Sequence, residues 1–174
     1  MPIRILASLA VAAALTLATA SNAAAQNRLG VGLSFLHSEG GTATGATVDY
    51  SGPIQNALAW VVDGSLHRDS NDFFDSTITM AQGGVRYNIP MTNTNVRVGV
   101  QGLVGIAHEG VSDCDVCGSN NLVITPGGNV DIPVGSGNTS IRVAIDFPII
   151  KFEGDTTTFT RFWFGASWAL GARP

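Results

Sequence analysis

Phe162-Trp163-Phe164-Gly165-Ala166-Ser167-Trp168-Ala169-Leu170, near the end of a 174-residue chain, decides how the fold is read. Phe162, Phe164, Ala166, Trp168 and Leu170 alternate with Arg161, Trp163, Gly165, Ser167 and Ala169. A period of two, with an apolar line on one side, marks a β-strand that turns one face to an apolar medium. The pattern returns upstream. Ile141, Val143, Ile145, Phe147 and Ile149 form one line, and Arg142 and Asp146 stand on the other.

The first 25 residues have a different character. Arg4 gives a short basic start, an apolar run extends from Ile5 to Ala18, and Ala23-Ala24-Ala25 supply small residues. This is the pattern of a secretory signal peptide with an A-x-A site, cut between Ala25 and Gln26. Its apolar run is shorter than the ~20 residues a spanning helix needs. The expected mature chain is a single domain, 26–174. No later stretch is apolar for long enough to cross a membrane as a helix, so any crossing must use strands. Charged residues make up 13% of the chain, about half the usual share in soluble domains. A net charge of −4 gives no basic footprint for nucleic acid.

Period-two runs and turn signals predict eight strands, near Leu29–Leu36, Ala43–Ser51, Ala57–His67, Thr77–Ile89, Val96–His108, Asn121–Val134, Ser140–Ile150 and Thr158–Leu170. Most reach the ~9–11 residues of a tilted membrane-crossing strand. In the fourth run Ile78 and Met80 fall on the face opposite Ala81, Val85, Tyr87 and Ile89, which predicts a bulge near Gln82-Gly83-Gly84. Connections after the second, fourth and sixth runs are short and turn-like. Those after the first, third, fifth and seventh are polar and mostly longer. Short turns on one side and long loops on the other suit an outer-membrane barrel, and an even strand count puts both termini on the periplasmic side.

The polar line carries Arg28, Asp49, Asp63, Arg86, Arg97, Asp131, Arg142, Asp146 and Arg161. Cations and anions nearly balance, as expected if they pair inside an enclosed lumen. Threaded up and down, Tyr50, Trp60, Tyr87 and Trp168 all fall on the apolar line near the periplasmic ends, leaving Trp163 inward. Amphipathic rings at one level are the girdle expected at a membrane interface. A soluble calycin-like barrel that binds a small apolar ligand is the rival with the opposite polarity.

In these features the chain resembles the small eight-stranded outer-membrane β-barrel proteins of the OmpA/OmpX-like superfamily. The resemblance covers essentially all of 26–174 and is one of pattern. It implies an all-β, eight-stranded antiparallel up-and-down transmembrane β-barrel in the bacterial outer membrane, monomeric, surrounded by lipid and lipopolysaccharide. It also implies that Phe162-x-Phe164-x-Ala166-x-Trp168-x-Leu170 serves as the assembly signal read by the barrel-insertion machinery. Leu170 stands where that signal carries an aromatic, and Gly171-Ala172-Arg173-Pro174 follows.

Residues with chemical potential are few. Cys114 and Cys117, in the predicted loop after the fifth strand, read as a disulfide in an exported protein. A C-x-x-C redox or metal site is the alternative. His37, His67 and His108 fall at the loop-side ends of the first, third and fifth strands, near Ser38, Glu39 and Glu109. A His base, a Ser nucleophile and a carboxylate would suit a lipid A hydrolase at the outer leaflet. Alternation, however, sends His67 inward and the other two outward. Asp69, Asp72, Asp75, Asp113 and Asp115 make two loops acidic without forming an EF-hand pattern. The expectation is therefore a non-enzymatic barrel without cofactor, metal or nucleic-acid partner, acting in envelope integrity or in surface interaction through its outer loops.

Overall fold

A computed structural model describes residues 26–71, 74–92, 94–111, 118–135, 138–152 and 154–171. Ala25 and the rest of the leader, as well as Cys114 and Cys117, lie outside these residues. The strands are β1 (Asn27–Ser38), β2 (Gly41–Gln55), β3 (Leu58–Asn71), β4 (Phe74–Ile89), β5 (Arg97–Val111), β6 (Ser119–Pro133), β7 (Thr139–Asp146), β8 (Ile149–Lys151), β9 (Thr156–Thr158) and β10 (Thr160–Leu170). From β1 to β7 each strand pairs antiparallel with the next, β10 pairs with β7 and closes the ring on β1, and β8 pairs with β6 and β9. Closure leaves no open edge around the wall, so backbone donors and acceptors are satisfied between strands in a medium that offers no water.

Ten strands make eight staves. On β6, Gly127 faces Asp146 of β7 and Ile124 faces Ile149 of β8 in one unbroken register. The interruption between β7 and β8 falls at Phe147-Pro148, where proline has no N–H to give the ladder. Phe147 N–H still donates to Pro126 O, and Phe159 N–H to Pro148 O, each at 2.8 Å. So β7 with β8, and β9 with β10, behave as single staves. The barrel is the eight-stranded, antiparallel, up-and-down barrel expected from the pattern.

Two expectations are corrected. No bulge occurs at Gln82-Gly83-Gly84: β4 keeps a single register along β3 and along β5. Ile78 and Met80 share the inward line with Gln82 and Arg86 because part of the lumen is itself apolar. Met80 packs with Leu36, Ala43, Ala107, Val123, Ile150 and Phe159, with Ile78 and Phe152 against them. The register shift between β2 and β3 lies at Pro53–Gln55, where a proline and Asn56 at φ 45° carry the turn into β3. The loops expected after the first and third strands also shrink. Only Glu39-Gly40 separates β1 from β2, and two residues separate β3 from β4. Their polar residues extend the hairpins because a β-ladder can continue past the apolar band into water.

The wall has inverted polarity. Leu33, Val48, Leu66, Val85, Val104, Ile106, Ile124, Ile141 and Ile145 point outward and are exposed, whereas Asp49, Asp63, Arg86, Asp131, Arg142, Asp146 and Arg161 point inward and are buried. A soluble ligand-binding barrel requires the reverse, and the calycin-like alternative fails on this point. Because Ile145 stands in the middle of the outward band, Ile145→Arg should cost about 2–4 kcal/mol of folding free energy in a bilayer, against about 0–1 kcal/mol for Ile54→Arg at the end of the wall. Urea titration of the protein refolded into vesicles measures both. Equal costs would contradict this orientation.

Candidate functional site: the lumen and its rim

Side chains on the inward lines form two tiers of ions. The lower tier, toward the end where Asn27 pairs with Leu170, is centred on Arg142. Its Nη1 donates to both oxygens of Asp49 at 2.6 Å, while Nε and Nη2 donate to Asp131 at 2.5 and 2.8 Å. Arg86 Nη2 reaches Asp49 at 2.7 Å. Arg28 stands 3.7 Å from Asp131 and donates from Nη2 to Ser167 and Ser140. In the upper tier Arg161 is shared between Asp63 and Asp146, with its shortest contact to each at 2.8 Å. Gln101 joins the tiers, accepting from Arg86 and donating to Asp146 at 2.8 Å.

Strand register explains half of this network. Asp131 lies directly across from Arg142, and Asp146 from Arg161, so those pairs form between neighbours. Asp49, in contrast, lies directly across from Asp63 on β2 and β3. Like charges in such a pair repel. Each is neutralised by a guanidinium from the opposite wall, Asp49 by Arg142 and Asp63 by Arg161. Room for these long side chains comes from glycine. A Cβ on Gly30 would overlap the Asp49 carboxylate, and one on Gly127 would overlap that of Asp146. Trp163 is inward and buried, with the Arg142 guanidinium 5.7 Å from its ring centroid, a cation–π distance.

Neutral residues fill the remaining valences. Thr47 and Gln82 donate to Asp63, and Thr125 donates to Gln82. Charge patterning did not single them out, although their inward parity between charged neighbours was readable. Arg97 has the same parity but is the first residue of β5. It is exposed at the mouth, because the wall no longer encloses it there.

The girdle residues stand on the outward lines near the termini end. Tyr50 and Trp60 meet edge to face with centroids 5.3 Å apart. Tyr50 is level with Leu29, which pairs in turn with Trp168, and Tyr87 lies across from Leu58. The three histidines have separate partners. His67 is fully buried with Nε2 2.8 Å from Ser34 Oγ. His37 bonds Thr42 at 2.9 Å and His108 bonds Asn120 at 3.0 Å, both at exposed positions. Ser38 has no hydrogen bond to any of the three among these contacts. Among the described residues no group of three or more His, Cys, Asp or Glu side chains could hold a metal ion.

No protein-family model matches the chain, and no curated protein matches it by sequence. Solved structures do match its fold. Neisserial surface protein A superposes with a TM-score of 0.66 at 13% identity, over 85% of this chain and 98% of that one. Ail, the attachment invasion locus protein of Yersinia pestis, gives 0.54 at 12% identity, over 84% and 97%. The N-terminal β-barrel domain of Pseudomonas aeruginosa OprF gives 0.52 at 11% identity, over 83% and 99%. The fold is therefore that of the small eight-stranded outer-membrane barrels of the OmpA/OmpX-like type. With an apolar wall outside and ions within, the barrel has the polarity of one that spans a membrane.

Removing one member of a buried ion pair strands the others without compensation. Arg161→Leu should thus cost about 3–5 kcal/mol, because it leaves Asp63 and Asp146 facing each other. Asp63→Asn should cost clearly less, since Arg161 keeps Asp146. Denaturant unfolding of the refolded variants checks the order, and an Arg161→Leu cost below that of Asp63→Asn would contradict it.

Proposed function

We propose that the protein is a non-enzymatic barrel that serves envelope integrity or surface interaction, with its lumen closed and its outer hairpins as the working surface. The observation that carries this reading is the filling of the lumen. An eight-stranded barrel leaves an interior just wide enough for side chains. Here the two ion tiers and the apolar layer of Leu36, Met80, Val123, Ile150 and Phe159 occupy it. What remains for a partner is the polar rim. The start of β1 and the end of β10 lie at one end of the barrel, taken as periplasmic, so the Glu39-Gly40 turn belongs to the outer rim. Lipid and lipopolysaccharide are the expected surroundings, the barrel-insertion machinery the expected assembly partner, and a monomer the expected state.

Support for a non-catalytic role comes from the histidines. A nucleophile and its base must lie within about 2.6–3.2 Å. Among the described residues the one Ser–His contact of that length, Ser34–His67, is sealed inside the wall with both residues fully buried. An acyl chain of lipid A would have to cross the barrel to reach it. The proteins of similar fold named above are described as surface, attachment or barrel proteins.

Cells carrying and lacking the gene distinguish the readings. Loss of the protein should raise sensitivity to detergents or lower surface attachment, while the lipid A mass spectrum stays unchanged. Ala substitutions at His37, Ser38, His67 and His108 should leave that spectrum unchanged as well. An acyl chain lost from lipid A in the presence of the protein, and restored by His67→Ala or Ser38→Ala, would establish the hydrolase instead.

A further inference from the structure

Arg28 is the one ion of the lower tier whose guanidinium is incompletely used. It is 9% exposed, and its Nη2 donates to Ser140 and Ser167. Its Nε and Nη1 are buried without a hydrogen-bond partner. Buried N–H groups on a cation are costly to leave unmet, and the cost exceeds that for a neutral amide. Both belong to a side chain that lines a small cavity of about 50 Å³, whose wall also includes Arg86, Arg142, Asp131 and Asn88.

The charge balance of this tier shows what the cavity favours. Three guanidinium groups, Arg28, Arg86 and Arg142, contact two carboxylates, Asp49 and Asp131. Both carboxylates are already engaged by Arg142, and Asp49 also by Arg86. An acceptor placed against Arg28 therefore completes its hydrogen bonding, and the three guanidinium groups around it favour a negative one, because the matching surplus of carboxylate, Asp63 and Asp146 on Arg161, lies in the upper tier. The volume suits a compact ion rather than a nucleotide or a sugar.

Access is one-sided. Asn88 lines both this cavity and a wider vestibule of about 770 Å³ at the same mouth, formed by Asn56, Pro90, Met91 and residues 94–96 together with Arg97. Arg97 adds a further cation at the opening, favouring anions on the way in. At the other end the apolar layer around Met80 and Phe159 blocks the lumen.

We propose that the terminal mouth of the lumen is a binding site for a small inorganic anion of the halide class, held by Arg28 with Arg86 and Arg142 and reached from the periplasm. An anion there meets the N–H groups of Arg28 that lack a hydrogen-bond partner, so anion occupancy and barrel stability are linked.

The test is chlorine-35 NMR of sodium chloride titrated with the folded barrel in non-ionic detergent, ionic strength being held with sodium gluconate. The expected result is excess line broadening that saturates with chloride and is displaced by bromide. Arg28→Gln should weaken apparent affinity at least about 10-fold, a difference of about 1.4 kcal/mol. Lys151→Gln, with the same charge loss at an exposed position on the far rim, should leave it unchanged. Heat-modifiability on a gel confirms that each variant is folded. Should Arg28→Gln not fold, the wild-type displacement series decides: gluconate is too large for the cavity, and displacement by gluconate as effective as by bromide would overturn the proposal. Absent or non-saturating broadening, or equal broadening by folded Arg28→Gln, would overturn it too and assign the cavity to water.

Discussion

The rest of the structure depends on hydrogen-bonded ion pairs that cross the lumen from wall to wall. Arg142 on β7 holds Asp49 on β2, and Arg161 on β10 holds Asp63 on β3. Backbone ladders set each strand against its neighbours, but they leave a narrow tube with charged side chains facing one another at close range. Asp49 and Asp63, adjacent on the wall, could not both be buried ionised without those two guanidinium groups. Strands distant in sequence are therefore tied through the middle, and the lumen is filled by the ties themselves. Buried charges of this kind are stabilising only when every partner is present, which makes the network one cooperative object.

The apolar features follow from that constraint. With ions committed to the inside, the outward lines are free to be almost wholly apolar, and rings such as Tyr50, Trp60 and Trp168 gather toward one edge of the band. Above the ion tiers the lumen changes character, and Met80, Leu36, Val123, Ile150 and Phe159 close it by ordinary packing. Polar contacts within the barrel are dense in its lower half and sparse in this layer. A continuous water-filled path would need both sections to open.

Much of the fold was legible in the sequence, because alternation at Phe162–Leu170 and Ile141–Ile149 reports strand faces directly. The inward and outward assignments of Arg142, Asp146, Trp163 and Trp168 follow from parity alone. Two things were not legible. Parity does not say which medium lies inside, so the inward Ile78 and Met80 resembled a register error when they belong to an apolar section of lumen. Nor does alternation give register between staves, so the pairing of Asp49 with Arg142, 93 residues apart, could not be read. Hairpin length was misjudged for a related reason: Glu39-Gly40 and Arg68-Asp69 are polar because they stand past the apolar band, and polarity there resembles a loop.

Function is inferred from what the scaffold leaves available. A closed lumen and a lipid-facing wall restrict partners of any size to the rims, and the two rims differ in chemistry. One carries the start of β1, the end of β10, Arg97 and the vestibule beneath Arg28; the other carries long hairpins over an apolar stopper. The central claim, that cross-lumen ion pairs hold the barrel together, is tested most directly by a double-mutant cycle on Asp49 and Arg142. Unfolding free energies would be measured for Asp49→Asn, Arg142→Gln and the double variant in the same lipid vesicles. The account predicts a coupling energy of at least about 1 kcal/mol, consistent with close charge pairs, and little changed by high salt because the pair is shielded from solvent. Additivity within about 0.3–0.5 kcal/mol would contradict it.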